Sequence, residues 1–126
     1  MRLLLDTHAL LWAVGSPSDL PPRVRALLED GRTEVCVSAA STWEISIKTA
    51  LGKLTLDLGA LLVTLRTLEF AELRIGFEHT RRAGALPPIH RDPFDRLLVA
   101  QALEDGFTIV TRDLTIGRYA APTLWE

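Results

Sequence analysis

Three short runs of the chain are apolar without alternation or rich in β-branched residues: 2–5 (RLLL), 34–37 (EVCV) and 107–111 (FTIVT). Such runs, bounded by turn or helix signals, predict strands buried on both faces. Weaker strands are expected at 72–75 and 122–125. Between them the period lengthens to that of helices. Val24, Leu27 and Leu28 share a face after Pro21-Pro22. Trp43, Ile47, Ala50, Leu51 and Leu54 form a second stripe, and Leu58, Leu61, Leu62, Leu65 and Leu68 a third behind a capping Asp57. A short helix is expected over 77–85 and a long one over 93–106, apolar nearly all round and therefore deeply packed. The intervening loop 86–93, LPPIHRDP, holds three prolines and is too rigid for a linker.

Strands alternating with helices predict an α/β fold in which a parallel sheet is covered on both faces. At 126 residues the chain is expected to form one domain, 1–126, with one core and no internal repeat. Hydrophobic residues make up 48% and charged residues 24%, which excludes a disordered chain. The formal charge of −2 does not announce a nucleic-acid binder, so any such role has to come from local charge. Cys36 is the single cysteine, which excludes an internal disulfide and reads as a buried thiol. The leucines at the start are interrupted by Asp6 and His8, no run has the length of a membrane helix, and a soluble cytoplasmic protein is expected.

Against that apolar background four acids stand out. Asp6 follows the first strand, Glu44 follows the second, Asp95 opens the long helix, and Asp113 follows IVTR. Each has a local explanation. Asp6 suits a helix cap, Glu44 the capping box Ser41-x-x-Glu44, Asp95 the third position after the cap Asp92-Pro93, and Asp113 a turn. Taken together they read differently, because ligands in such sheets bind outside the carboxyl ends of the strands. Asp95 also lies in line with Leu98, Val99 and Ala102, not on a solvated face. Carboxylates about 4 Å apart repel by on the order of 4 kcal/mol per pair at an effective dielectric near 20, so their convergence implies a cation. All the donors are oxygens and no His or Cys has zinc-like spacing, which points to magnesium, with manganese as a substitute. Such an ion supports metal-assisted phosphodiester hydrolysis.

At these residues the sequence resembles the PIN-domain ribonucleases, and among them the VapC-type toxins of bacterial toxin–antitoxin pairs. The resemblance runs through LLLDTHALLW, VSAASTWEISIKTALGKL, LPPIHRDPFDRLLVAQAL and IVTRD, nearly end to end. It implies a three-layer α/β/α sandwich with a parallel sheet. It implies that Asp6 and Asp95 hold the principal magnesium, that Glu44 and Asp113 complete the cluster, partly through water, and that Thr111 is the small hydroxyl beside it. It further implies an RNA substrate, a homodimer, and inhibition by a cognate antitoxin whose C-terminal segment crosses the active-site groove.

Arg96 and Arg112 each adjoin a site acid, and both are candidates for gripping phosphate. Lys48, four residues after Glu44, suits a helical charge pair. His8, His79 and His90 are read as structural, and Trp12, Trp43 and Trp125 as packing or dimer contacts. LGKLT, 51–55, is no phosphate loop, because Ile47 stands where that pattern needs glycine. Three other functions are compatible with an acid after the first strand. One is a housekeeping nuclease of the same fold. An aspartyl-phosphate enzyme would need a second acid where His8 stands. A non-catalytic magnesium-binding receiver or interaction domain would need a lysine that the segment after the last core strand lacks.

Overall fold

The computed structural model describes all 126 residues. Five strands, β1 (Arg2–Leu5), β2 (Glu34–Ser38), β3 (Ala71–Leu73), β4 (Thr108–Val110) and β5 (Thr123–Leu124), form one sheet in the order β3-β2-β1-β4-β5. Every neighbouring pair is parallel. Six helices, α1 (Thr7–Gly15), α2 (Pro22–Glu29), α3 (Ala39–Ala50), α4 (Leu58–Thr67), α5 (Phe77–Ala85) and α6 (Pro93–Asp105), cover it. The expected weak strands are present but shorter than their sequence runs.

The leucine run explains the layering. Leu3, Leu4 and Leu5 are all 0% exposed, and alternation sends them to opposite faces. Leu3 and Leu5 join a core with Ala9 and Leu10 of α1, Val24 of α2, and Leu61 and Leu65 of α4. Leu4 joins Leu98, Val99 and Ala102 of α6 in a second core with Phe107 and Ile109. Helices on both faces of a central parallel sheet make the three-layer α/β/α sandwich. β1 is its middle strand, with Leu4 between Cys36 and Ile109 and Leu5 between Val37 and Val110.

Local signals set most helix ends as expected. Asp57 caps α4 by accepting from the Ala60 N–H at 3.1 Å. Asp92 caps α6, Pro93 occupies its first position, and Gly106 ends it at φ 77°, a left-handed conformation that costs glycine nothing. Helix α3 departs from expectation. Its cap is Ser38, whose hydroxyl accepts from the Ala40 N–H at 3.0 Å, so Ser41 and Glu44 lie inside the helix and form no capping box. Its buried line is Ala40, Ser41, Glu44 and Ile45, while Trp43 is 60% exposed and Leu51 lies beyond the helix end. The start of α3 abuts the sheet edge where the acids gather, so the inward line carries polar side chains and the apolar stripe through Trp43 faces out.

Candidate active site

Chain order reverses at β1: β2 and β3 lie on one side of it, β4 and β5 on the other. A crevice therefore opens beyond the carboxyl ends of β1 and β4, the usual ligand position in such sheets. The two segments leaving these strands are tied together there, with the Asp6 N–H donating to the Val110 carbonyl at 3.1 Å. Asp6 follows one strand and Thr111 to Asp113 the other. The strongly apolar β1 thus fixes an acid at the junction, because a strand buried on both faces is the most rigid support the fold offers.

Asp6 also caps α1, its Oδ1 accepting from the Ala9 N–H at 2.8 Å. The cap and the crevice position are compatible, since a carboxylate has a second oxygen to offer. Burial raises its pKa above the ordinary carboxylate value, and the Thr111 hydroxyl and the Ala9 N–H offset part of that rise. Glu44 reaches the same crevice from α3. Its Oε1 accepts from the Thr7 hydroxyl at 2.5 Å, and its Oε2 is paired with Lys48 Nζ at 3.0 Å, the i, i+4 pair expected from the sequence. Asp92 is engaged by the cap of α6, accepting from the Phe94 and Asp95 N–H groups at 2.8 and 3.4 Å. That cap orients the first turn so that Asp95 points inward.

Asp95 carries the largest perturbation. Its pKa is pushed up to about 7, first by burial, then by the negative charge of Asp92, with further contributions from Glu44 and Asp6 that His90 only partly offsets. Asp113 goes the other way. Burial pushes it up, but the His90 imidazole and the Thr115 N–H together hold it below the ordinary range. Its Oδ1 accepts from that N–H at 2.8 Å, and its own N–H donates to the Thr111 hydroxyl at 3.0 Å.

The resulting cleft, of about 310 Å³, is lined by Asp6, Thr7, His8, Glu44, Lys48, Asp92, Asp95, Arg112 and Asp113, with no hydrophobic side chain among them. All four sequence-predicted acids are brought together. Carboxylate oxygens dominate the donor set, and the acids Asp6, Glu44, Asp92, Asp95 and Asp113 face only Lys48 and Arg112 as permanent cations. Both features suit a hard divalent cation such as magnesium or manganese. Asp6 enters the cleft from the end of β1, Glu44 from α3, Asp95 from the first turn of α6 and Asp113 from the segment after β4.

The two arginines separate. Arg112 lines the cleft, its guanidinium 4.7 Å over the Trp12 ring. Arg96 has another occupation. Its nitrogens donate to the carbonyls of Ala83 (2.8 Å), Leu86 (3.2 Å), Pro87 (3.1 Å) and His90 (3.4 Å), so it organises the 86–92 loop and is not free for phosphate. Sequence reasoning passed over His90. Its Nε2 lies 3.0 Å from both Asp95 Oδ2 and Asp113 Oδ2, although 23 residues separate it from Asp113. The signal available for it was weak: a histidine in a proline-stiffened loop, two residues before a helix cap. His8 is exposed, and His79 is buried with its Nε2 on Asp105 at 2.7 Å, a structural link between α5 and α6.

Comparisons with known proteins bear on the family and the fold. The family model for the PIN domain matches residues 3–122. Ribonuclease VapC22 of Mycobacterium tuberculosis is 27% identical over 137 aligned positions, covering 98% of each chain. Among solved structures, VapBC2 from Rickettsia felis, bound to a DNA fragment from its promoter, superposes with a TM-score of 0.74 at 16% identity over the full length of both chains. The DNA-bound VapBC from Salmonella typhimurium gives 0.66 at 18% identity, covering 98% of this chain and 96% of that one.

Proposed function

The chain belongs to the PIN domain family, and on that footing we propose that it is a magnesium-dependent endoribonuclease acting as the toxin of a toxin–antitoxin pair. One observation carries the reading: Asp6, Glu44, Asp95 and Asp113, from four separate segments, converge on one cleft with their charge unbalanced. The relative named as a ribonuclease, covered almost end to end, supports the reaction class.

In this reading Asp6 and Asp95 hold the ion. A bound magnesium, or manganese in its place, supplies positive charge that polarises a phosphoryl oxygen and makes water more acidic. The protein's own groups do the rest. Thr7 and Lys48 fix Glu44 at both oxygens, and Thr115 and His90 fix Asp113 in the same way. Rotationally fixed carboxylates accept hydrogens from the attacking water and orient it towards phosphorus. No side chain serves as a covalent nucleophile: the Thr7 hydroxyl is directed at Glu44, and Cys36 lies within β2 with its thiol pKa raised by burial. Arg112 is the cation at the cleft left to meet the RNA backbone, a local charge that a protein of net charge −2 needs.

Arg112→Ala is expected to raise KM several-fold with kcat little changed. It also lowers the salt dependence of RNA binding by about one phosphate contact, a slope change of about 0.7. Fluorescence anisotropy with a short RNA across a salt series measures this, and an unchanged slope removes Arg112 from the interface.

The partner reading rests on the VapBC structures that share this fold. A cognate antitoxin presenting basic residues suits the acidic cleft. Beside the start of α3 a second cleft of about 340 Å³, lined by Leu62, Leu65 and Phe70, offers apolar surface, and Leu62, Val63 and Trp43 are exposed. We extend the reading to a cytoplasmic homodimer. No helix is long and apolar enough to cross a membrane. The direct test is cleavage of RNA by the purified protein. Cleavage in magnesium that chelation abolishes supports the reading, and intact RNA in both magnesium and manganese refutes it.

A further inference from the structure

We propose that His90 is a positioning residue of the metal centre, a tautomer-locked N–H donor that holds Asp113 in place beside Asp95 and does not ligate the ion itself. The inference rests on the magnesium reading above and adds to it a residue outside the four acids.

The tautomer follows from the hydrogen bonds. His90 Nδ1 accepts from the Asp92 backbone N–H at 3.1 Å, so that nitrogen carries its lone pair and the proton of the neutral ring resides on Nε2. Nε2–H then donates to Asp113 Oδ2 at 3.0 Å, and Asp95 Oδ2 lies 3.0 Å from the same nitrogen as a close polar contact. Although the three groups each place one donor atom within 4.8 Å of the others, a ligating Nε2 would require moving the proton to Nδ1, against the Asp92 N–H. A hard cation also prefers the carboxylates. One N–H thus fixes an oxygen of Asp113 and sets the imidazole against the Asp95 carboxylate, which comes from a different segment. With Asp113 Oδ1 held by the Thr115 N–H, that carboxylate is locked at both ends, while Asp95 keeps its other oxygen for the ion.

The position of His90 is built by the fold and is not accidental. The His90 N–H donates to the Tyr119 hydroxyl at 2.8 Å, and that hydroxyl donates to the Pro87 carbonyl at 2.9 Å. The Arg96 guanidinium binds four carbonyls of the same loop region, that of His90 included, and approaches the Tyr119 hydroxyl at 3.4 Å. Arg96 therefore serves the metal centre from behind. Its role is to hold the loop that delivers the imidazole, and the two prolines at 87 and 88 stiffen that loop. Partners that orient metal ligands typically contribute 10- to 100-fold in metal affinity.

The test is manganese affinity by titration calorimetry on the full chain, with thermal unfolding as a control for the fold. His90→Ala is expected to weaken binding by about tenfold with its metal-free melting temperature little changed. His90→Gln, whose amide nitrogen reaches the place of Nε2, is expected to restore most of the affinity. In the metal-free wild type, long-range proton–nitrogen correlation spectra should show the proton on Nε2 and none on Nδ1. Unchanged or tighter manganese binding by His90→Ala overturns the proposal while leaving the magnesium reading intact, as does a proton on Nδ1. No manganese binding by the wild type overturns both.

Discussion

Asp6→Asn is expected to abolish RNA cleavage, by about 10³-fold or more, while the protein keeps its fold and its melting temperature to within a few degrees. The amide preserves the shape of the side chain and an oxygen able to accept from the Ala9 N–H, so the cap of α1 survives. What disappears is the negative charge at the junction of β1 and β4. Burial raises the Asp6 pKa, which means that the folded protein already disfavours its charged form, so neutralising it costs no stability. A large activity loss with an unchanged melting curve separates a metal-holding acid from a structural cap. Cleavage of single-stranded RNA at the wild-type rate by Asp6→Asn would show that the site lies elsewhere.

Asp95→Asn is expected to act in opposite directions on stability and on activity. Asp95 titrates near 7 in the folded protein against an ordinary value of 3.8, so its contribution to stability is fully present below about pH 4 and is lost as the pH rises through about 7. At pH 8 the metal-free wild type carries the whole cost of an ionised, half-buried carboxylate among other acids. The shift corresponds to at most about 4 kcal/mol, and partial exposure and relaxation reduce it. Metal-free Asp95→Asn should therefore be more stable than wild type by roughly 2–4 kcal/mol at pH 8, or on the order of 10 °C in Tm, with the gap closing at pH 4. Magnesium should raise the wild-type Tm at pH 8 and leave that of the variant unmoved. Thermal unfolding at the two pH values, with and without magnesium, measures all of this. A variant less stable than wild type at pH 8 would mean that Asp95 is a structural acid and not a functional strain.

Much of this was legible in the amino-acid order. The leucines of β1 announced a central strand because only a strand buried on both faces tolerates such a run, and Asp57, Asp92-Pro93 and Gly106 marked helix ends through local chemistry that tertiary context left alone. The four acids were legible because topology, not contact detail, brings strand ends to one edge. Helix α3 was misjudged because hydrophobic periodicity sees only apolar residues. Its true inward face includes Ser41, which is buried, and Glu44, which lines the acidic cleft, so the line through Trp43 was the outer one. His90 was missed for a different reason. Its approach to Asp95 and Asp113 depends on the path of a loop held by Arg96 and Tyr119, and Tyr119 lies 29 residues further along the chain. Arg96 looked like a phosphate ligand from its place beside Asp95, but a guanidinium with five donors also suits a cluster of loop carbonyls, and only the fold decides between them.

The central claim is that these acids meet in order to hold a divalent cation. Crystals soaked in manganese, with data collected at an energy where manganese scatters anomalously, test it most directly. Strong anomalous density is expected between the carboxylates of Asp6 and Asp95, with Glu44 and Asp113 beside it and the His90 ring outside the coordination shell. An empty cleft in manganese-soaked crystals, or a peak bound elsewhere on the molecule, would contradict it.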